Sequence, residues 1–137
     1  MMYHAGEGMA QLPRGLLLIS VIVYVGIGGM ALVAPAATLA PVGVVADGAA
    51  GVVEIRAMYG GLELGMAAFL GWCLAKGKVH TGVVASTLTI GGLGLARALS
   101  WVAAGAPEGL HPVLMAVELG GAALGLVVWV RGLADDR

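Results

Sequence analysis

Five charged residues lie within otherwise apolar stretches of the sequence and could take part in chemistry there: Glu54, Arg56, Glu63, Arg97 and Glu118. Only 11% of the 137 residues are charged, whereas 60% are hydrophobic. A charged side chain near the centre of a bilayer costs roughly 2.5 kcal/mol or more, so such residues usually pair or line a cavity. A buried glutamate can act as an acid or base, and an arginine can bind a carboxylate.

Helical spacing groups these charges with other polar side chains. Arg56, Tyr59 and Glu63 are three and four residues apart, so an α-helix presents them on one face. Arg97 and Ser100 share a face in the same way, as do His111 and Glu118, which are two helical turns apart. The predicted polar cluster therefore has these members: Arg56, Tyr59, Glu63, Arg97, Ser100, His111 and Glu118.

Four apolar stretches of about 20 residues predict the elements that position this cluster, because that length spans a bilayer as a helix. The expected spans are 15–34, 52–75, 79–104 and 111–130. The first is longer than the apolar part of a secretory signal, so we expect it to be retained. The sequence predicts an all-α integral membrane four-helix bundle, forming a single domain over residues 1–137.

The basic residues outside these spans predict the orientation of the bundle. They occur only at the two termini and in the turn between the second and third spans: Arg14, Lys76, Lys78, Arg131 and Arg137. Cytoplasmic segments are enriched in Lys and Arg, so we expect both termini and this turn to face the cytoplasm.

This orientation brings the charges to similar depths. At 1.5 Å per residue, Arg97 and Glu118 each lie about 10 Å from the outer end, and Glu63 about 16 Å. Arg56 lies nearer the surface, at about 6 Å. Two arginines and two glutamates thus predict one neutral cluster in the outer half of the bundle. Glu54 is instead expected to be a helix-entrance acid, since acids suit helix N-termini.

Two interpretations of the cluster stay open. It can line a ligand cavity, which is the usual reading of ionised groups within a membrane. It can also be a neutral ion-pair network that only fixes the register of the helices. Gly61, Gly65, Gly121 and Gly125 fit ordinary close packing between helices under either interpretation.

Several other chemistries are disfavoured. The formal net charge of −1 does not suit a nucleic-acid partner. The histidines are far apart, and the Glu108-x-x-His111 spacing occurs once where di-metal helical sites use two copies, so no metal site is expected. Cys73 is the single cysteine and is expected to be a buried apolar residue. No cofactor motif is present in the sequence.

The segment Glu54-Ile-Arg-Ala-Met-Tyr-Gly-Gly-Leu-Glu-Leu-Gly65 resembles the signature of a bacterial four-helix inner-membrane family catalogued as domain of unknown function 4345. Gly94-Leu-Ala-Arg97 with Ser100, and Glu118, are similar to further elements of that family, and the resemblance runs from about Leu16 to Val130. It implies a multi-pass protein of the bacterial inner (cytoplasmic) membrane and no established activity. The chain has Ala104-Gly105 where many family members have an Asp-Gly pair, and Ala96 where Gly often precedes the arginine.

These features favour a small membrane protein without a catalytic site, either an accessory subunit or a binder of a lipophilic ligand. The expected partners are membrane lipids and further copies of the chain or subunits of a larger complex. A small transporter or channel is the first alternative, although the predicted cytoplasmic half has no comparable polar residues. An enzyme that modifies a lipid or isoprenoid ranks last, because no nucleophile is evident.

Overall fold

The structure is a computed structural model that describes residues 5–106 and 108–135, with side chains described for 11–106 and 108–132. Arg137, one of the basic residues named above, lies outside these residues. The described part is helical and has no strand. Four helical stretches are long and apolar enough to cross a membrane: Gln11–Val33, Gly48–Ala75, Val79–Ala104 and His111–Gly132. The predicted all-α fold with four spanning helices is confirmed.

The elements follow one another with short connections. They are α1 (Ala5–Val33), α2 (Pro35–Leu39), a 3₁₀ turn (Ala40–Val42), α3 (Gly48–Ile55), a π-helical segment (Arg56–Gly61), α4 (Leu62–Ala75), α5 (Val79–Ala104) and α6 (His111–Asp135). The segments α3, π and α4 run on continuously as the second membrane-spanning stretch.

One boundary differs from the prediction. The second span begins at Gly48 and not near residue 52, because Asp47, with extended backbone, takes the N-cap position and the Gly51 N–H bonds to its carbonyl. α1 ends at Val33, close to the predicted end of the first span, and Pro35 opens α2, since proline is well suited to the first turn of a helix. The segment between the first two predicted spans therefore contains a short helix and a 3₁₀ turn, which ends at Gly43 with φ +73°.

The helices pack as two pairs. α5 packs most extensively against α6, while α1 packs against the π segment and α4. α1 also contacts α5, but it barely touches α6. The apolar core lies where α1, α4 and α5 meet, and its buried members are Leu17, Tyr24, Ala67, Leu70 and Cys73.

Glycines allow the closest approaches within each pair. A Cβ on Gly28 of α1 would lie 3.1 Å from the Gly60 carbonyl oxygen in the π segment. A Cβ on Gly94 of α5 would lie 2.8 Å from Leu119 of α6, and one on Gly125 would collide with the Thr87 hydroxyl. Small residues at these positions let the backbones pack at distances that larger side chains would prevent.

The two ends of the bundle are different. At one end, the tight turn after α4 places the Lys78 ammonium 4.9 Å from the centre of the Trp72 ring. At the other, the 3₁₀ turn lies against the loop before α6, where a Cβ on Gly109 would be 3.4 Å from the Pro41 carbonyl oxygen. We call these the Lys78 end and the His111 end.

Candidate ligand-binding site

Arg97 and Glu118 form an ion pair between α5 and α6. The Arg97 Nε–H donates to both carboxylate oxygens of Glu118, with N–O distances of 2.8 and 3.0 Å. The side chains are partly buried, at 28% exposure for Arg97 and 13% for Glu118. Gly94, one helical turn before Arg97, makes this pairing possible because its missing side chain leaves room for the Glu118 Cβ. The hydrogen bonds are charge-assisted, and the single Nε–H of Arg97 is divided between the two carboxylate oxygens.

His111 extends this pair towards the connecting segment. Arg97 Nη1 lies 3.0 Å from His111 Nδ1, and His111 Nε2 lies 3.1 Å from the Val42 carbonyl oxygen. Guanidinium nitrogens only donate and carbonyl oxygens only accept, so Nδ1 accepts and the Nε2–H donates. A continuous chain of hydrogen bonds thus links the 3₁₀ turn, His111, Arg97 and Glu118.

A cavity of about 290 Å³ lies between α1, α5 and α6, and Glu63 reaches it from α4. Its walls are mainly apolar and include Leu16, Val23, Ile27, Val83, Ile90, Leu114 and Val117. The polar side chains on it are Ser20, Tyr24, Glu63, Ser86, Thr87 and Glu118. An apolar cavity with a few convergent polar groups is the usual form of a small-molecule site.

Two of these polar groups have a buried oxygen with no hydrogen-bond partner among the described residues. They are the Tyr24 hydroxyl and Oε2 of Glu63. Tyr24 is only 6% exposed, and the hydroxyl of nearby Thr89 donates to the Ala85 carbonyl. Ser20 and Ser86, in contrast, bond each other across α1 and α5 at 2.9 Å. The cavity therefore contains hydrogen-bonding capacity that these protein residues do not use.

A second cavity, of about 330 Å³, lies between α5 and α6 towards the His111 end. Its walls include Arg97, Ser100, Trp101, His111 and Met115. Leu93 lines both cavities, with Arg97 on the second and Glu118 on the first. The ion pair thus stands between the two cavities.

The predicted polar cluster is divided in the structure. Arg97, His111 and Glu118 are in direct contact, Ser100 lines the cavity beside them, and Glu63 lines the same cavity as Glu118. Arg56 and Tyr59 lie elsewhere. Arg56 is exposed and its Nε–H donates to the Leu32 carbonyl at 2.9 Å, and Tyr59 is 39% exposed.

Arg56 lies apart from the other charges, although it and Glu63 flank the same π-helical segment. The prediction that Arg56 and Glu63 share one face assumed a regular α-helix. Here the Leu62 N–H bonds to the Ala57 carbonyl five residues earlier, so the residues between Arg56 and Gly61 turn less per residue. Both residues nevertheless contact α1: the Arg56 Nε–H bonds to the Leu32 carbonyl, and the Glu63 Cβ lies beside Gly28, one turn earlier on α1. Glu63 lines the cavity, whereas Arg56, nearer the start of the span, does not. The expectation of a four-charge neutral cluster is wrong in this respect.

Glu54 is also placed differently from the prediction. The helix α3 begins at Gly48, so Glu54 is exposed near the C-terminal end of α3. The first turn of α3 contains no acidic residue. Asp47 takes the position at the helix entrance, without a side-chain capping bond. The expected role of Glu54 as a helix-entrance acid is therefore wrong.

Tyr24 is the site residue that the sequence analysis missed. Tyrosines of membrane proteins favour the bilayer interface, and one in the middle of a spanning helix is therefore a signal. Ser20 and Tyr24, four residues apart, also place two hydroxyls on one face of α1. Among the described residues, no three His, Cys, Asp or Glu side chains are arranged to hold a metal ion.

Comparisons with other proteins identify the family. No curated protein and no solved structure matches the chain. The family described as Domain of unknown function (DUF4345) matches residues 12–129, which take in nearly all of the four spanning helices and both partners of the ion pair. This four-helix chain, with its Arg97–Glu118 pair and adjoining apolar cavity, belongs to the family of domain of unknown function 4345.

Proposed function

We propose that this protein binds a lipophilic ligand within the membrane, in the cavity between α1, α5 and α6. One observation carries the proposal: an apolar cavity contains the buried Tyr24 hydroxyl and Glu63 Oε2, neither with a hydrogen-bond partner among the described residues. Burying a polar group without a partner costs roughly 1–3 kcal/mol in proteins. A ligand whose polar end bonds to these oxygens would offset that cost.

The shape of the site supports a ligand that enters from the bilayer. α1 and α6 make few contacts with each other, so the cavity between them can be reached from the lipid side. Its volume of about 290 Å³ suits one small lipophile or part of a longer chain. The apolar walls would hold the hydrocarbon body, and Tyr24 and Glu63 would orient the polar end.

We propose the bacterial inner membrane as the location, with the Lys78 end facing the cytoplasm. The basic residues beside the spans all belong to the same end of the up-and-down bundle: Arg14 near the start of α1, Lys76 and Lys78 in the turn, and Arg131 near the end of α6.

A role as accessory subunit in a homo-oligomer or larger complex is compatible with ligand binding. Gly61 and Gly65 support it, because they are exposed on the second span and leave its backbone open to a close neighbour.

Filling the cavity tests the ligand-binding proposal. Gly121 lines the cavity, and a Cβ there has only Ile90 within 4 Å, at 3.9 Å, so Gly121→Leu should occupy the cavity with little distortion. Gly120→Leu is the matched control, since a Cβ at this exposed neighbour meets nothing within 4 Å. Mass spectrometry of natively purified protein should find a lipophile with wild type and Gly120→Leu. Gly121→Leu should lose it, and equal retention by both variants would refute the proposed site.

A further inference from the structure

Building on the proposed function, we propose that the ligand carries a cationic amine at its polar end. The charges around the cavity do not balance. Two carboxylates line it, Glu63 and Glu118, and one guanidinium, Arg97, lies beside it. When all three groups are ionised, the two negative charges exceed the one positive charge, and the cavity carries a net charge of −1.

The positive charge of Arg97 is already paired with Glu118. Its Nε–H donates to both oxygens of Glu118, and its Nη1 bonds to His111. Glu63 therefore does not share this guanidinium. An ion pair so close in the low-dielectric interior is costly to separate, so Arg97 is not free to move to Glu63.

No other protein cation reaches Glu63 within the described residues. Arg56, the nearest arginine in sequence, is exposed and bonded to the Leu32 carbonyl. Lys76 and Lys78 lie at the Lys78 end, where Lys78 stacks on Trp72. The one ion pair seen between described side chains is that of Arg97 and Glu118. Glu63 thus needs either a proton or a cation from outside the chain.

An alkylammonium group satisfies these requirements together. It carries one positive charge, which completes the balance, and three N–H donors, which suit the acceptor oxygens of Glu63 and Tyr24. A charge-assisted bond of this kind is roughly twice as strong as a neutral one. An alcohol would supply the hydrogen bond and leave the charge unbalanced. A fatty-acid carboxylate would add a third negative charge, so it should bind least well.

Three probes of equal chain length test the inference: dodecylamine, dodecanol and dodecanoate. The protein is placed in nanodiscs of zwitterionic lipid with a bound fluorescent lipophile. The affinity of each probe is measured by the concentration at which it displaces this lipophile and lowers the fluorescence. We expect dodecylamine to bind at least about tenfold more tightly than dodecanol, the change that about 1.4 kcal/mol produces. Dodecanoate should be the weakest of the three.

Glu63→Gln removes the charge and keeps the shape of the side chain. It should abolish the amine preference, so that dodecylamine and dodecanol bind the variant with similar affinity. Glu54→Gln is the matched control, because it removes an equal charge from an exposed position in the same span, away from the cavity. If both variants lose the preference for dodecylamine, that preference depends on the overall charge of the protein and not on Glu63, and the inference is overturned.

The wild-type series decides the question even if Glu63→Gln does not fold. Equal binding of amine and alcohol would overturn the amine inference and leave the lipophilic site intact, with Glu63 holding its own proton. A preference for dodecanoate would also overturn it. Binding of none of the three would refute the proposed function itself.

Discussion

Arg97 donates through two different nitrogens to two different side chains, and this defines the local chemistry. Nε binds the Glu118 carboxylate and Nη1 binds His111, whose other nitrogen bonds to the Val42 carbonyl. Since each neighbour accepts from Arg97, the neutral Nε2–H form of His111 is the one that fits. The carboxylate is therefore held in position at the edge of the cavity, and the 3₁₀ turn is tied to the same network.

At the scale of residues, we predict that the ion pair is harmed more by losing one partner than by losing both. Glu118→Leu should destabilise the protein by about 2–4 kcal/mol, because it leaves Arg97 partly buried without its counter-ion. Arg97→Met combined with Glu118→Leu should recover at least half of this loss. Unfolding in mixed detergent–SDS micelles measures both effects.

The exposed acid Glu54 supplies the control for this comparison. Glu54→Leu should change stability by less than about 0.5 kcal/mol, as is usual for surface substitutions. A Glu118→Leu protein that is as stable as Glu54→Leu would contradict a stabilising role for the pair. A double variant less stable than either single variant would show that packing, and not charge, dominates at this position.

At the scale of elements, the π-helical segment is where the second span packs closely against α1. It begins at Arg56 and ends at Gly61, and its buried Gly60 packs against Leu32 and Gly28 of α1. Glu63, just after this segment, lines the cavity and lies beside Gly28, and Arg56 at its start bonds to the Leu32 carbonyl near the end of α1. π-helical turns within α-helices are frequent at functional sites. In this span the π turn adjoins the glutamate that lines the cavity.

The close approach of α1 to the π segment predicts a pair of substitutions with different outcomes. Gly28→Ala should cost about 1–3 kcal/mol, because its Cβ would lie 3.1 Å from both the Gly60 carbonyl oxygen and the Glu63 Cβ. Gly29→Ala is the matched control, since its Cβ meets nothing within 4 Å. Both changes add the same helix propensity, so their difference reports packing alone.

Thermal unfolding of the two variants in detergent measures this difference. Gly29→Ala should be as stable as wild type or slightly more stable, and Gly28→Ala clearly less stable. Because Gly28 also touches Glu63, Gly28→Ala should reduce ligand retention as well. Equal stability of both variants would mean that α1 and the π segment can separate without cost.

At the scale of the whole molecule, the pairing of the helices determines where a ligand can enter. α5 and α6 form one close pair, and α1 with the second span forms the other. The cavity lies where the pairs meet, and the weak contact between α1 and α6 marks its open side. The 3₁₀ turn and the loop before α6 meet at the His111 end. Access from the lipid is therefore more direct than access through either end.

The orientation of the molecule gives a further prediction. In a Cys73→Ala background, single cysteines at Thr81 and Ala106 mark the Lys78 end and the His111 end, and both positions are exposed. A membrane-impermeant maleimide added to intact spheroplasts should label Ala106→Cys and leave Thr81→Cys unmodified until the membrane is disrupted. Neither change removes a basic residue, so the orientation signal is kept. Labelling of Thr81→Cys in intact spheroplasts would reverse the assigned topology.

The four spanning helices are predictable from the amino-acid sequence alone, because a sufficiently long apolar stretch can cross a bilayer as a helix. The sequence also indicated the polar positions, since each charge in an apolar span needs a partner or a cavity. Which charges meet was decided only by the tertiary structure. Helical spacing cannot reveal that Arg56 bonds to the Leu32 carbonyl and not to a carboxylate, nor that Gly94 of α5 leaves room for Glu118 of α6. The cavity, and the part of Tyr24 in it, likewise exist only where helices distant in sequence pack against one another.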